Sequence, residues 1–176
     1  MSTTRRMTCD DLFRFGPTNI DVLTETYHLG FYCLYLSRWP GLATSQESGP
    51  TGRLAAYCIG KAEGSGREWR GHISAVTVAP EFRRLGIASS LCNYLERGSD
   101  KTFNGYFVDL FVRVSNLVAI TMYRKMGYSV YRRVLSYYDG EEDAFDMRKP
   151  LSRDSGGLSV VPLKAPILSK DLMASR

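Results

Sequence analysis

One stretch constrains this chain more than any other: Val76–Ala88, VTVAPEFRRLGIA. A β-branched run stopped by Pro80, then Arg83 and Arg84, then Gly86 at the mouth of an apolar-periodic segment, predicts strand, loop and helix in that order. Gly86 lets backbone come close to a bound group where any side chain would intrude. The amides from Arg84 through Ile87 to Ala88 lie at a helix N-terminus, where unpaired N–H groups and the helix dipole favour phosphate. Pyrophosphate is the guest this arrangement predicts, and the strand residues Val76 and Val78 offer backbone to an extended ligand arm. Neither the Walker loop G-x-x-x-x-G-K-[ST] nor the dinucleotide fingerprint G-x-G-x-x-G occurs.

The chain has 176 residues, 44% hydrophobic and 23% charged, enough for one globular domain with a sizeable core. Its net charge of +5 suits an anionic partner but is too small to choose among nucleotide cofactor, acidic peptide, ribosome and nucleic acid. Cys9, Cys33, Cys58 and Cys92 form no C-x-x-C pair. That argues against a zinc site and predicts reduced thiols without disulfides, as in a cytosolic protein. The N-terminus lacks an apolar signal core, and no run approaches a membrane span of ~18 residues.

Thr8 through Asp11 fits a capping box and predicts a first helix with Leu12, Phe13 and Phe15 on its apolar face. A second helix is expected over Phe31–Trp39, ended by Pro40; the loop before it carries Glu25 and Tyr27. A weak strand falls around Leu42–Gln46, and a stronger one at Arg53–Gly60. In Glu68–Ala79, strict alternation puts Ile73, Ala75 and Thr77 on one face. His72, Ser74, Val76 and Val78 then share the other.

The helix opened by Gly86 should run to about Arg97 and close at Gly98. Tyr106–Val114 is the strongest strand; Phe107, Asp109, Phe111 and Arg113 share a face, where Asp109 and Arg113 are expected to form an ion pair. Asn116 caps a helix Leu117–Met126, and Tyr128–Tyr138 and Ala144–Lys149 read as a hairpin around the acidic turn Asp139–Asp143. Residues 1–150 thus form one domain, and 151–176 a tail, partly disordered or partner-bound.

R-x-x-G-x-A after V-x-V-x-P, here Arg83, Gly86 and Ala88 behind Val76, Val78 and Pro80, resembles the acetyl-CoA loop of the GCN5-related acetyltransferases. Asn116, Ala119, Tyr123, Gly127 and Tyr128 resemble that superfamily's second motif. The implied fold is α/β of the α+β kind, a mixed central sheet flanked by about four helices. More specifically, TCDDLFRF, LTETY, VAPEFRRLG, FVDLFVRVSN and MYRKMGYSVYR resemble the catalytic subunits of the NatB N-terminal acetyltransferases over residues 7–154. That family acetylates nascent chains beginning Met-Asp, Met-Glu, Met-Asn or Met-Gln. It acts on cytosolic ribosomes through a large helical-repeat auxiliary subunit, with no membrane or direct nucleic-acid role.

The resemblance implies acetyl-CoA held by Val76, Val78, Arg83, Arg84, Gly86, Ile87, Ala88, Asn116 and Tyr123. It makes Tyr123 the proton donor to the departing thiolate, with His72 and Glu25 as further catalytic candidates. The peptide site would be Glu25, Tyr27, His72, Ser74, Tyr137 and Tyr138. His72 is expected to offer an N–H to an acidic or amide second residue. No metal is implied. Two other readings stay open: a lysine or small-amine acetyltransferase of the same fold, and a non-catalytic basic module for ribosome or nucleic acid, for which Arg5, Arg6, Arg83, Arg84, Arg132 and Arg133 are the motive.

Overall fold

A computed structural model describes residues 2–20, 24–49 and 52–174. In chain order its elements are β1 (Thr3–Arg6), α1 (Leu29–Arg38), β2 (Ala43–Glu47), β3 (Leu54–Glu63) and β4 (Arg70–Val78). Then come α2 (Ile87–Lys101), β5 (Phe107–Arg113), α3 (Leu117–Lys125), β6 (Ser129–Tyr138), β7 (Glu142–Pro150), β8 (Ile167–Leu168) and α4 (Ser169–Ala174). The strands make one sheet in the order β1-β2-β3-β4-β5-β7-β6-β8. Neighbours are antiparallel except β4 with β5 and β6 with β8.

Alternation along β3 divides the core in two. Ala56 and Cys58 face Leu91 and Leu95 of α2, while Tyr57 and Ile59 face Tyr32, Tyr35 and Leu36 of α1. β5 does the same with Val108, Leu110 and Val112 toward the α2 side. Aliphatic side chains on both faces of a central strand exclude water from the backbone ladder and fix its register.

Several elements depart from the sequence reading. The first helix is only a five-residue 3-10 turn, Cys9–Phe13. Asp11 does accept the backbone N–H of Thr8 at 2.9 Å, but its carboxylate is buried and bound by Arg5 at 2.7 and 2.8 Å. A further strand, β1, lies at Thr3–Arg6, where no strand is expected from the local pattern, and it pairs along the edge of β2. β2 is buried over its first four residues despite its polar side chains, because Ser45 donates to Asp11 and Gln46 to Ser2, and its register with β3 shifts between Gln46 and Glu47. Gly98 sits inside α2, which runs on to Lys101; a Cβ there would come within 2.9 Å of Leu42, so close packing accounts for the glycine. Residues 151–174 lie against the domain in place of a separate tail: β8 pairs with β6, and Leu172 is fully buried.

The correction that matters for the site lies in β4. Ile59 pairs with Ala75, yet Gly60 pairs with Ile73, so Ser74 is an extra residue, a β-bulge. The bulge shifts the alternation. Val76 and Val78 therefore join Ile73 against the α2 core, and Ala75 packs on the α1 side. His72, paired across the strands with Asp109, lies on the face opposite the two valines, not beside them. Likewise Asp109 and Arg113 do not pair with each other: Asp109 binds Arg70 and His72, and Arg113 binds Glu25 and Glu142.

Gly60 is what lets the chain bulge here, since a Cβ would stand 2.5 Å from the His72 carbonyl oxygen and 2.4 Å from Leu95. Gly60→Ala is expected to destabilise the protein by about 1–3 kcal/mol through overpacking. Thermal unfolding measures it, and an unchanged midpoint would show that β3 and β4 can part without cost.

Candidate active site

β4 and β5 are hydrogen-bonded only from Arg70 with Phe107 to Ile73 with Leu110. Beyond that point β4 follows β3 to Val78 and β5 follows β7 to Arg113, so the two strands diverge. The gap between them is a cavity of about 340 Å³ lined from both faces of the sheet. Val76, Val112, Asn116, Ala119 and Tyr123 line it from the α2 and α3 side. From the α1 side come Glu25, Tyr27, Phe31, Tyr35, His72, Phe111, Arg113, Tyr137 and Tyr138. The bulged Ser74 stands at the fork, its carbonyl accepting from the Tyr27 hydroxyl at 3.4 Å and its own hydroxyl donating to Tyr35 at 3.0 Å. Tyr27 thereby satisfies a backbone carbonyl at the bulge, and Tyr35 the side-chain hydroxyl of the same residue.

The predicted pyrophosphate loop forms as strand, turn and helix. Gly86 has φ 77° and caps α2, and Arg84 also has positive φ, 65°. A Cβ at Gly86 would meet no protein atom within 4 Å, so the space beside it is open to a ligand. Ile87 buries its side chain in the core and leaves its amide at the helix mouth. Arg83 donates through Nε to the Val78 carbonyl at 3.1 Å, fixing the loop to the end of β4, and both arginines reach solvent. Of the expected cofactor residues, Val76, Asn116 and Tyr123 line the cavity. Val78, Arg83, Arg84, Gly86, Ile87 and Ala88 stand outside it, further along the same face. Asn116 also caps α3, its Oδ1 accepting from the Ala119 N–H at 3.1 Å.

Tyr123 projects from α3 toward the fork, its ring edge-on to Tyr128 at 5.5 Å. Burial pushes its phenol well above the ordinary tyrosine range, so the hydroxyl keeps its proton at neutral pH and can donate it. The hydroxyls of Tyr27 and Tyr138 are raised by burial too.

On the opposite face every expected peptide residue lines the cavity. Glu25 is held by Arg113 at 2.6 Å, and the same guanidinium binds Glu142 at 2.9 Å and lies 4.1 Å above the Tyr138 ring. Tyr138 donates to the Phe111 carbonyl at 3.1 Å, and Tyr137 stacks on Phe111 at 4.6 Å. His72 is buried, with Nδ1 2.7 Å from Asp109 Oδ1, while Asp109 Oδ2 accepts from Arg70 Nε at 2.8 Å. The nitrogen expected to meet the ligand is therefore Nε2 alone.

Sequence reasoning missed Phe31, Tyr35, Lys61, Phe111 and Arg113 as lining residues and Asp109 as the partner of His72. Phe31 and Tyr35 sit at i and i+4 on α1, a spacing that core packing explains equally well. The Asp109 contact depends on the register of β4 against β5, which no local pattern encodes.

Comparison with known proteins agrees with this geometry. The acetyltransferase (GNAT) family pattern matches residues 14–128. N-alpha-acetyltransferase 20 of Dictyostelium discoideum is 57% identical over 97% of this chain and 98% of its own length. The N-terminal acetyltransferase B complex catalytic subunit NAA20 of Arabidopsis thaliana is 55% identical over 98% of each. The crystal structure of Chaetomium thermophilum Naa20 in complex with a bisubstrate analogue superposes with a TM-score of 0.91 at 40% identity, covering 97% of this chain and 98% of that one. By fold, site and kinship the chain belongs to the acetyltransferase (GNAT) family, among the catalytic subunits of N-terminal acetyltransferase B.

Proposed function

We propose that this chain transfers acetyl from acetyl-CoA to the α-amino group of polypeptides beginning Met-Asp, Met-Glu, Met-Asn or Met-Gln, with one substrate on each side of the sheet. The observation that supports this best is the fork itself. It joins a phosphate-type loop and the edge of β4 that β5 leaves unpaired to a tyrosine-lined acceptor pocket on the α1 side.

Acetyl-CoA supplies an activated acyl group as a thioester. The loop amides from Arg84 to Ala88 suit its pyrophosphate, and the free backbone of Val76–Val78 suits its extended arm and the thioester oxygen. An α-amino group has a pKa of ~8, so part of it is neutral at pH 7 and positioning matters more than a strong base. Tyr123, a buried phenol that keeps its proton, is placed to give that proton to the departing thiolate. Glu25, neutralised by Arg113, serves to shape the pocket and attract the terminal ammonium rather than to act as a free base. Tyr137 and Tyr138 form the wall along the peptide backbone.

The exposed apolar side chains of Phe13, Leu29 and Leu34, at the first 3-10 turn and on α1, suit burial by a large auxiliary subunit that brings the chain to cytosolic ribosomes. Among the described residues no helix is long and apolar enough to cross a membrane.

A panel of peptides tests the substrate assignment: the four Met-acid and Met-amide starts should be acetylated, with Met-Leu, Ser-initiated and internal-lysine peptides poor. His72→Ala should lower kcat/KM for Met-Asp by roughly one to two orders of magnitude and for Met-Leu much less. An equal fall on both would make His72 structural. Gly86→Val forces a β-branched residue into positive φ and fills the open space; cofactor affinity by calorimetry should drop more than about tenfold. Tyr123→Phe should reduce kcat by roughly 10²-fold at nearly constant KM. A raised KM with normal kcat would assign Tyr123 to binding.

A further inference from the structure

His72 has two ring nitrogens, and the structure treats them differently. Nδ1 faces Asp109 at 2.7 Å, and Asp109 is simultaneously bound by the Arg70 guanidinium at 2.8 Å. Arg70 can only donate, and its permanent charge 2.8 Å away keeps Asp109 a carboxylate, which can only accept. The Nδ1 position must therefore carry a proton whether or not the ring is charged. What remains variable is Nε2, the nitrogen on the side of the cavity that His72 lines. In the neutral ring it is an acceptor; in the cation it is a donor.

We propose that Asp109 is a positioning residue that makes His72 Nε2 a proton-dependent reader of the substrate's second residue. Acidic side chains are bound with uptake of one proton, amide side chains without it. The inference rests on the reading of His72 given under Proposed function. A carboxylate needs a donor, so it selects the ring that has taken a solvent proton onto Nε2. A carboxamide can turn end for end: its NH₂ donates to neutral Nε2, or its oxygen accepts from the cation. One side chain thereby accommodates both substrate kinds.

The surrounding charges are compatible with either state. On His72's own strand stands Arg70, and on β5 stand Asp109 and, further along, Arg113 with its partner Glu25. Across β3 lie Lys61, the register partner of His72, and Glu63, which binds both Lys61 and Arg70 at 2.6 and 3.0 Å. On β7, Arg148 pairs in register with Asp109, and Asp146 lies 3.5 Å from it; burial, followed by the charge of Asp109, raises the Asp146 carboxyl. From α1 and the hairpin come the neutral rings of Phe31, Tyr35, Tyr137 and Tyr138. Of the two His72 nitrogens, Nε2 is the one that alternates between acceptor and donor.

The test is competition between Met-Asp and Met-Asn peptides in one reaction with the intact enzyme, auxiliary subunit included, from pH 6 to 8. Titration of the α-amino group and every step involving acetyl-CoA are shared by the two peptides and cancel in the ratio of their kcat/KM values. Free Asp side chains are already ionised throughout this range, so a proton taken up with Met-Asp is taken up by the enzyme. Uptake of a proton with Met-Asp but not with Met-Asn makes the Met-Asp to Met-Asn ratio fall as pH rises, by at most about tenfold per pH unit for one proton. In Asp109→Asn the amide oxygen must turn to Arg70, leaving its NH₂ against Nδ1. His72 is then a neutral ring with hydrogen on Nε2, and the ratio should be flat with pH.

A flat ratio in the unmodified enzyme, while His72→Ala abolishes the preference of both peptides over Met-Leu, overturns this inference and leaves the assignment of His72 intact. If His72→Ala leaves that preference unchanged, the assignment itself fails. A ratio that falls in Asp109→Asn as it does in the unmodified enzyme removes Asp109 from the argument. Should Asp109→Asn not fold, ¹⁵N chemical shifts of the His72 ring decide. Free enzyme should show hydrogen on Nδ1, and saturation with Met-Asp at the same pH should raise the fraction carrying a second on Nε2; hydrogen on Nε2 alone in free enzyme, or no rise on saturation, overturns the proposal.

Discussion

Backbone N–H and C=O groups in the middle of a sheet must find partners, and the site is built where β4 and β5 cease to supply them to each other. The parting is paid for locally: the Ser74 bulge turns the strand, Gly60 makes room for it, and Tyr27 and Tyr35 take up the polar groups of the bulged residue. Flanking strands do the rest. Because β4 stays paired with β3 and β5 with β7, each arm of the fork is rigid although the arms do not touch. A gap in a sheet is normally unstable; this one is held open by two intact ladders, and the exposed edge of β4 is left for a ligand's own polar groups.

The same parting sorts the functional residues. His72 looks toward α1, and Val76 and Val78 look toward α2, so one inserted residue sends neighbouring positions to different faces of the sheet. Electrostatics follow the division. The α2 side presents helix-terminal amides and the exposed Arg83 and Arg84, whereas the α1 side holds compensated groups, with Arg113 against Glu25 and Glu142 and with Asp109 against Arg70. A di-anionic cofactor arm and a peptide terminus of variable charge call for these two environments.

Local signals made the frame legible. The strand, loop and glycine-capped helix around Val76–Ala88, the Asn116-capped α3 and the hairpin tyrosines can each be read from neighbours in sequence, because caps, turns and alternation are local physics. β2 was faint because Thr44, Ser45 and Gln46 are buried only by virtue of partners elsewhere, Asp11 and Ser2 among them. The bulge was invisible: Ser74 is an ordinary strand residue until β3 is laid beside it, and strict alternation then carries every later side chain to the wrong face. The His72–Asp109–Arg70 chain shares that fate, since parallel register between β4 and β5 is set by the helix that joins them.

The cavity's two walls bear on how reacting groups meet. Since side chains from both faces of the sheet line the fork, a group held on the α2 side and one held on the α1 side can meet there without either crossing the sheet. A ligand that joined both substrates covalently would instead have to be threaded through the wall, seated like a pin in a hinge.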